Sequence, residues 1–349
     1  YTKTRGSFFQ AQATGLSDRF FRENLISGTY ANQTVFGGLS ENGLASYLGR
    51  INYNFRSKYY IGASVRADGL SKMPEAGRWG YFPGLSFAWR VSEEEFFKNA
   101  SALSFISDLR FRGSYAEVGN TEVTGGSYPY LGSYGSAQYG SQNGIAFSNT
   151  GNPDLKWETQ KIYDLGLDFS VLDGRINLVF AYWRKDNFDQ VLGAPTAPSL
   201  GVPGNRIIKN IGNIKNSGLE FSVNSTIIDK GAFSWTSNLN FSTQRNEVTK
   251  LVNGQDIFGD YTIVREGESI NSVYGYTYKG VNAANGNPIY QKADGTLVQA
   301  NVPNSTYYVY DPANPTALTT TSSLTAADKS ILGSSLPTWF GGFDNQFRY

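Results

Sequence analysis

Two carboxylates, Asp164 and Asp168, have the spacing in this sequence that most resembles a catalytic pair. They lie four positions apart in the alternating stretch KIYDLGLDFS, so both would point to the same face of a β-strand. Paired carboxylates carry out glycoside hydrolysis. The sequence has no His and no Cys, which excludes Ser-His-Asp triads, thiol nucleophiles, Cys/His zinc sites and disulfide frameworks. Because no cleft-forming pattern surrounds the two acids, we predict no enzyme activity, no metal site and no cofactor.

A second candidate group consists of tyrosines in a segment with too much Gly and Ser to form a core. The segment reads SYPYLGSYGSAQYG, and its tyrosines are Tyr128, Tyr130, Tyr134 and Tyr139. A tyrosine ring can stack on a sugar face while its hydroxyl forms hydrogen bonds. We predict that these residues bind a ligand, or that they pack against neighbouring loops or a partner protein.

The elements that position these residues show strict alternation of apolar and polar side chains. In residues 45–55, Tyr47 and Ile51 share one face while Arg50 and Asn52 share the other. The apolar faces carry no charge and end in aromatic residues, as expected for lipid contact, because a lipid-facing Arg or Lys at the bilayer midplane costs about 2–4 kcal/mol. The pattern predicts membrane-spanning β-strands. A soluble β-sandwich or propeller is the alternative.

The polar faces of the same strands supply a third candidate set, which would face the lumen of a barrel. These residues could line a substrate path, contact a plug, or pair across neighbouring strands. They are Arg50, Arg66, Asp68, Arg90, Arg110, Arg112, Asp164, Asp168 and Glu220.

Connector lengths support a barrel of the outer-membrane kind, in which short turns alternate with long external loops. Short turns are predicted at 56–58, 172–174 and 229–231, and long extracellular loops at about 119–156, 187–215 and 244–337. The sequence therefore predicts one all-β domain over residues 1–349, an antiparallel transmembrane β-barrel. Its nine strands and one initial fragment make it partial, because a barrel must close and bacterial barrels have even strand numbers.

Two further features narrow the class of protein. The net charge of +1 argues against nucleic acid as a partner. The chain opens on the polar segment YTKTRGSFFQ, so we expect no signal peptide within it.

Several segments, in collinear order over nearly the whole chain, resemble the SusC/RagA group of TonB-dependent transporters. The most specific are RWGYFP and AWRVSEEEFF; the others are DLRFRGSYAEVGN, NPDLKWETQKIYDLGLDF and NIGNIKNSGLEFSV. The resemblance implies an importer of oligosaccharides or peptides in the Gram-negative outer membrane of Bacteroidota. It also implies a plugged barrel of about 22 strands, of which this chain supplies nine to ten.

The resemblance further implies two protein partners, a SusD-like surface lipoprotein acting as a lid and TonB. The plug and the TonB-contacting segment are not in this sequence. Many members carry an acidic loop suited to Ca²⁺, but Asp294, Asp311 and Asp328 are too scattered here to form that ligand set. The alternative functions are a passive diffusion porin and a soluble glycan-binding or glycan-cleaving β domain.

Overall fold

The computed structural model describes residues 1–16, 30–123, 128–318 and 320–349. Within these ranges only the backbone is described for Leu16, Tyr30, Ala31, Gln33, Tyr139 and Val302. Strands are numbered β1 to β21 in chain order.

Most of the chain forms one large antiparallel sheet, hereafter the wall. Ten strands follow one another in the order β1-β2-β3-β4-β5-β8-β9-β10-β11-β21, and β12 pairs with β10 in addition. Their bounds are β1 Thr2–Leu16, β2 Tyr30–Phe55, β3 Tyr59–Leu70, β4 Trp79–Arg90, β5 Ile106–Gly119, β8 Thr159–Val171, β9 Ile176–Pro195, β10 Arg206–Lys230, β11 Phe233–Thr243, β12 Arg245–Lys250 and β21 Trp339–Arg348. The all-β, antiparallel prediction of nine to ten wall strands is confirmed.

The long connectors contain two smaller sheets. A hairpin formed by β6 (Ser133–Tyr139) and β7 (Gln142–Asn149) lies within the predicted 119–156 loop. Residues 244–337, called the excursion, fold mainly into an eight-stranded sheet. Its strands are β13 Ile257–Phe258, β14 Thr262–Val264, β15 Ser272–Val281, β16 Pro288–Gln291, β17 Leu297–Asn301, β18 Thr306–Val309, β19 Thr321–Ser322 and β20 Lys329–Gly333.

Helices in the described residues are single turns. The α-helix α1 spans Glu95–Lys98, and the 3₁₀ turns are Glu75–Gly77, Val91–Glu93, Ser101–Leu103, Pro198–Leu200, Pro203–Asn205, Val252–Gly254, Val302–Asn304 and Ala326–Asp328. None of these helices is long and apolar enough to cross a membrane.

The register of the wall separates its two faces as the alternation predicted. Tyr53, Ile61 and Phe87 are direct neighbours on the outward face, and Ile51 there is 75% exposed. No charged residue lies on the outward face in the spans 45–55, 59–67 and 81–89. The opposite, inward face is polar at the same levels. A large exposed apolar surface of this kind is suited to lipid contact.

At the short-turn end, the outward face finishes in aromatic residues whose polar tips share one carboxylate. The Tyr59 hydroxyl donates to Glu94 at 2.6 Å, the Trp89 indole N–H at 3.1 Å and the Lys58 ammonium at 3.0 Å. Satisfying the polar tips in this way lets the rings occupy the boundary between hydrocarbon and water.

At the long-loop end, the outward face of β5, β8 and β9 changes abruptly from aromatic to charged. Tyr115 and Tyr163 pack with ring centroids 5.2 Å apart. Arg184 is directly opposite Tyr163 and contacts Asp186 at 2.9 Å, and one pleat farther on Lys161 contacts Glu117 at 3.7 Å. Charges on this face belong in water, so the aromatic pair marks the upper limit of lipid.

The predicted loop 187–215 is wrong over most of its length. Strand β9 continues to Pro195 and β10 begins at Arg206, which leaves only residues 196–205 between them. The polar residues that suggested a loop belong to strands that have left the lipid, where both faces are hydrated and apolar alternation is no longer required.

Small apolar clusters hold the connectors against the wall. Met73 from the β3–β4 connector packs with Leu70, Phe82 and Trp157. Val248 and Leu251, at the start of the excursion, pack against Ile214 of β10. These clusters fix the long connectors at the same end of the wall.

Candidate functional site on the inward face of the wall

Arginines and aspartates on the inward face of β4, β5 and β8 form a chain of ion pairs. Arg90 contacts Asp108 at 2.7 Å, and Arg110 contacts Asp168 at 2.5 Å. Arg112 lies between Asp164 and Asp168 and pairs with both. We call this set, together with Glu93 and Lys98 at its short-turn end, the inward ion network.

The inward ion network is balanced, because it holds four cations and four carboxylates. Cross-strand registration requires this balance: Arg90 and Arg110 are directly opposite each other, and like charges in that position repel. Asp108 pairs with Arg90 and Asp168 pairs with Arg110, which offsets this repulsion. Each carboxylate of the Asp164–Asp168 pair contacts an arginine, so both acids belong to the inward ion network.

The remaining inward candidates make local contacts. Arg66 contacts Asp68 at 2.7 Å, and Asp68 is buried. The guanidinium of Arg50 donates to Asn52 at 3.2 Å. Glu220 is exposed and makes no ion pair among the described residues. The structure therefore joins Arg90, Arg110, Arg112, Asp164 and Asp168 in one network and leaves Arg50, Arg66, Asp68 and Glu220 outside it.

Next to the network the inward face is hollowed by small residues. Two adjoining cavities of about 440 and 350 Å³ share Asn52, Gly62, Ser86 and Ser114 in their lining, and we call them the inward groove. A Cβ atom on Gly62 would lie 2.6 Å from the Ser86 hydroxyl. Hydroxyl and amide groups line a space that a larger residue would fill, which suits a hydrated partner.

Sequence reasoning missed the inward groove. The signal was present, because small residues occupy inward positions on adjacent strands. They are Gly62, Ser64, Gly84, Ser86, Ser114 and Ala116. Only the strand register shows that they are neighbours.

The structure brings together two of the four predicted loop tyrosines. The Tyr128 hydroxyl donates to the carbonyl of Glu41 at 2.6 Å, and its ring meets that of Tyr130 edge to face at 6.2 Å. Tyr134 lies apart on the β6–β7 hairpin, packed against Phe147 at 4.4 Å. The side chain of Tyr139 lies outside the described part of the structure.

A stripe of tyrosines in the excursion was also missed. Tyr274, Tyr276 and Tyr278 share one face of β15, and Tyr290 from β16 packs against the last two at 6.4 and 6.0 Å. The ammonium of Lys329 lies 5.9 and 5.6 Å from the ring centroids of Tyr274 and Tyr276. The alternation of tyrosine with small residues in YGYTY could have indicated this face from the sequence. We call Tyr274, Tyr276, Tyr278 and Tyr290 the tyrosine stripe.

The acids of the excursion serve as turn caps. Asp294 accepts the Thr296 N–H, Asp311 accepts the Ala313 N–H and Asp328 accepts the Thr325 N–H. These backbone hydrogen bonds lower the pKa of Asp294 and of Asp328 from their ordinary value. Among the residues that the structure describes, no three acidic side chains are grouped as metal ligands.

Comparisons of the sequence with a family profile and with curated proteins agree on one family. The family profile described as "TonB dependent receptor-like, beta-barrel" matches residues 2–330. TonB-dependent receptor P3 of Formosa agariphila is 33% identical over 99% of this chain and 34% of its own length. TonB-dependent receptor SusC of Bacteroides thetaiotaomicron is 34% identical over 74% of this chain and 26% of its own length.

Among solved structures, a chain of the RagAB peptide transporter superposes with a TM-score of 0.74 at 25% identity. That match covers 93% of this chain and 34% of the other. The chain thus spans about a quarter to a third of the length of these relatives.

Proposed function

This chain belongs to the TonB-dependent receptor β-barrel family and is therefore an outer-membrane protein. We propose that it forms part of the barrel wall of an active importer of oligosaccharides or peptides. One observation carries the proposal beyond family membership. The wall has a charge-free outward face and an inward face with a balanced ion network beside a polar groove. Such a wall suits a lipid-embedded barrel with a hydrated interior.

The inward groove favours a barrel whose interior is filled by protein or substrate over a barrel with an open channel. Its glycines and serines leave room for a protein segment or a substrate, and its hydroxyls and amides offer hydrogen bonds to either. The balanced network favours no charge sign in the cargo, which fits neutral oligosaccharides and mixed peptides. In the full-length protein we place a plug domain against this face.

The surface at the long-loop end is suited to contact with a lid protein. Tyrosines of the tyrosine stripe and of the 128–134 segment provide rigid surfaces with polar tips, as interfaces and sugar sites do. We place a SusD-like lipoprotein there and TonB at the opposite, periplasmic end, acting through a segment outside this chain. No catalytic role is assigned to any residue.

Uptake by intact cells tests the proposal. The full-length gene is deleted in its host, and uptake of fluorescent oligosaccharides and peptides is measured with and without the TonB energy supply. We expect uptake of one substrate class to be lost in the deletion strain and also when TonB is removed.

Complementation then locates the function in the wall. Wild-type gene should restore uptake, whereas a variant with Gly62→Leu and Ser86→Leu, which fills the inward groove, should insert normally but restore it poorly. Uptake that persists without TonB, together with steady ungated conductance in bilayer recordings, would instead identify a diffusion porin.

A further inference from the structure

We propose that a cleft on the outward face, at the long-loop end of β1 to β4, binds the phosphorylated sugar headgroup of an outer-leaflet lipid. The cleft has a volume of about 460 Å³ and is lined by residues of β1, β2, β3 and β4 and by the loop tyrosines Tyr128 and Tyr130. We call it the headgroup cleft. It shares no lining residue with the inward groove.

The level of the headgroup cleft is set by its aromatic neighbours. Trp79 lines it and stacks on Tyr47, with ring centroids 6.0 Å apart. Both rings are exposed at the end of the charge-free outward face. Aromatic rings in that position mark the headgroup region, so the headgroup cleft opens among lipid headgroups.

The floor of the cleft is made of small residues on the outward side. Gly43 and Ala45 precede Tyr47 on the same face, and Gly69 is directly opposite Ala45. A Cβ atom on Gly69 would lie 2.9 Å from the Trp79 ring, and one on Gly43 would lie 3.0 Å from the Tyr1 hydroxyl. The Trp79 ring and the Tyr1 hydroxyl thus lie close over these two glycines, which lets aromatic surface form part of the cleft, and a sugar ring can stack on such a surface.

Charge at the cleft is unbalanced toward the positive. Lys3 and Arg5 share a single carboxylate, Glu41, at 3.2 and 3.4 Å. Arg78 also lines the cleft and makes no ion pair in the described residues, and its buried Nε atom has no hydrogen-bond partner there. The lining therefore has two cations, Lys3 and Arg78, and one carboxylate, which Arg5 also contacts from outside the cleft. This excess of positive charge would be balanced by an anion, and the buried guanidinium donor needs an acceptor. A phosphate oxygen supplies both.

The side of the sheet on which the cleft opens selects the occupant. Cargo in the lumen faces the inward groove, with the sheet between it and the headgroup cleft. A lipid reaches the cleft by lateral diffusion. Phosphate for the cations and a sugar ring for the aromatic surface are combined in the outer leaflet in lipids with a phosphorylated glucosamine headgroup.

Lipid binding to the full-length protein in detergent tests the assignment. The probe is a bisphosphorylated diglucosamine lipid, with bound lipid counted by native mass spectrometry. Arg78→Gln should weaken its affinity about tenfold, as expected for loss of a charge-assisted hydrogen bond, and Lys3→Gln should also weaken it. Arg78→Lys keeps the charge and should retain most of the affinity.

The matched control is Lys230→Gln, which removes one exposed outward cation at the other rim of the wall and should leave the affinity unchanged. Equal binding of the dephosphorylated lipid or of phosphatidylglycerol would overturn the proposal, because it would show no headgroup recognition. It would also be overturned if inorganic phosphate bound as tightly as the lipid, or if Arg78→Gln, folded normally by thermal unfolding, bound as wild type does.

Discussion

Arg90 and Arg110 face each other across β4 and β5, and the inward face tolerates them because Asp108 and Asp168 lie beside them. The sequence showed that these residues point inward. It did not show which partners they have, because pairing depends on the register of strands that are distant in the chain. Asp168 is 58 positions from Arg110, and their contact follows only from the pairing of β5 with β8.

Removing one carboxylate from this network should destabilise the wall. Asp168→Asn leaves Arg110 and Arg112 short of negative charge, and because these side chains are partly exposed we expect a loss of about 1 kcal/mol. Thermal unfolding of the purified full-length protein in detergent measures the change. Asp173→Asn, the same substitution in a turn outside the network, should have no effect; equal losses in both variants would contradict the assignment.

Glu94 should make the short-turn end sensitive to acid. Hydrogen bonds from the Tyr59 hydroxyl, the Lys58 ammonium and the Trp89 indole lower the pKa of Glu94 from 4.5 to about 2. A carboxyl whose pKa is lowered by folding adds stability that is complete above its unfolded value. This stability is lost as the pH falls from about 4.5 toward 2.

Melting temperatures recorded across that pH range test the role of Glu94. In the wild type they should fall as the acid titrates, and in Glu94→Gln the fall should be smaller. Glu95→Gln, an exposed neighbour in α1, serves as the control. A wild-type slope in Glu94→Gln would show that another group is responsible.

At the level of the strand, the alternating pattern predicted well where lipid imposes it. The spans 45–55 and 59–67 were identified with the correct faces, because a charge on the lipid side is costly. Beyond the lipid the constraint ends, and β9 and β10 were predicted too short. The turn at 56–58 was found, but not its geometry: Arg56 and Ser57 both have positive φ without Gly or Asn.

Adjacent positions on β2 provide a direct test of which face meets lipid. Ile51 points outward and Asn52 inward. Ile51→Arg should reduce stability by about 2–4 kcal/mol or prevent insertion, because it places a cation in hydrocarbon. Asn52→Arg should insert normally. Outer-membrane fractionation and heat-modifiable migration distinguish the two outcomes, and equal tolerance of both substitutions would contradict the assignment of faces.

The excursion depends on a buried amide network. Gln299 is fully buried and accepts hydrogen bonds from Asn282 and Asn285 at 2.8 and 2.9 Å. Gln299→Ala leaves these donors without their acceptor, so we expect a loss of about 1–3 kcal/mol confined to the excursion.

Limited proteolysis should show faster cleavage within residues 244–337 of the Gln299→Ala variant while the wall stays resistant. Gln291→Ala, which removes a longer 3.4 Å contact at a more exposed position, is the comparison. If the wall became equally sensitive, the excursion would not be a separate unit of stability.

At the level of the lipid the wall has two free edges in the described residues, because β1 pairs only with residues 30–44 of β2 and β21 pairs only with β11. Residues 45–55 of β2 and strand β21 are thus unpaired on one side, and since unpaired edges are not tolerated in hydrocarbon, further strands must complete the barrel. We expect a 349-residue fragment expressed alone to aggregate, and the full-length protein to migrate as a heat-modifiable barrel. A stable, detergent-soluble monomer of the fragment would contradict this expectation.

The early change from aromatic to charged residues beside Tyr115 and Tyr163 bears on the shape of the cell surface. Beyond Tyr182, β9 continues to Pro195, which places its tip about 30 Å above the lipid for an ordinary tilted strand. Strand β2 also continues beyond Tyr47, back to Tyr30, where β1 pairs with it. Between these two rises β3 ends at Leu70, close to Trp79 and the headgroups. The mouth is therefore uneven, with its low point at the β3–β4 connector, and antibodies or phages meeting an intact bacterium should find residues 190–210 on one of its two high sides.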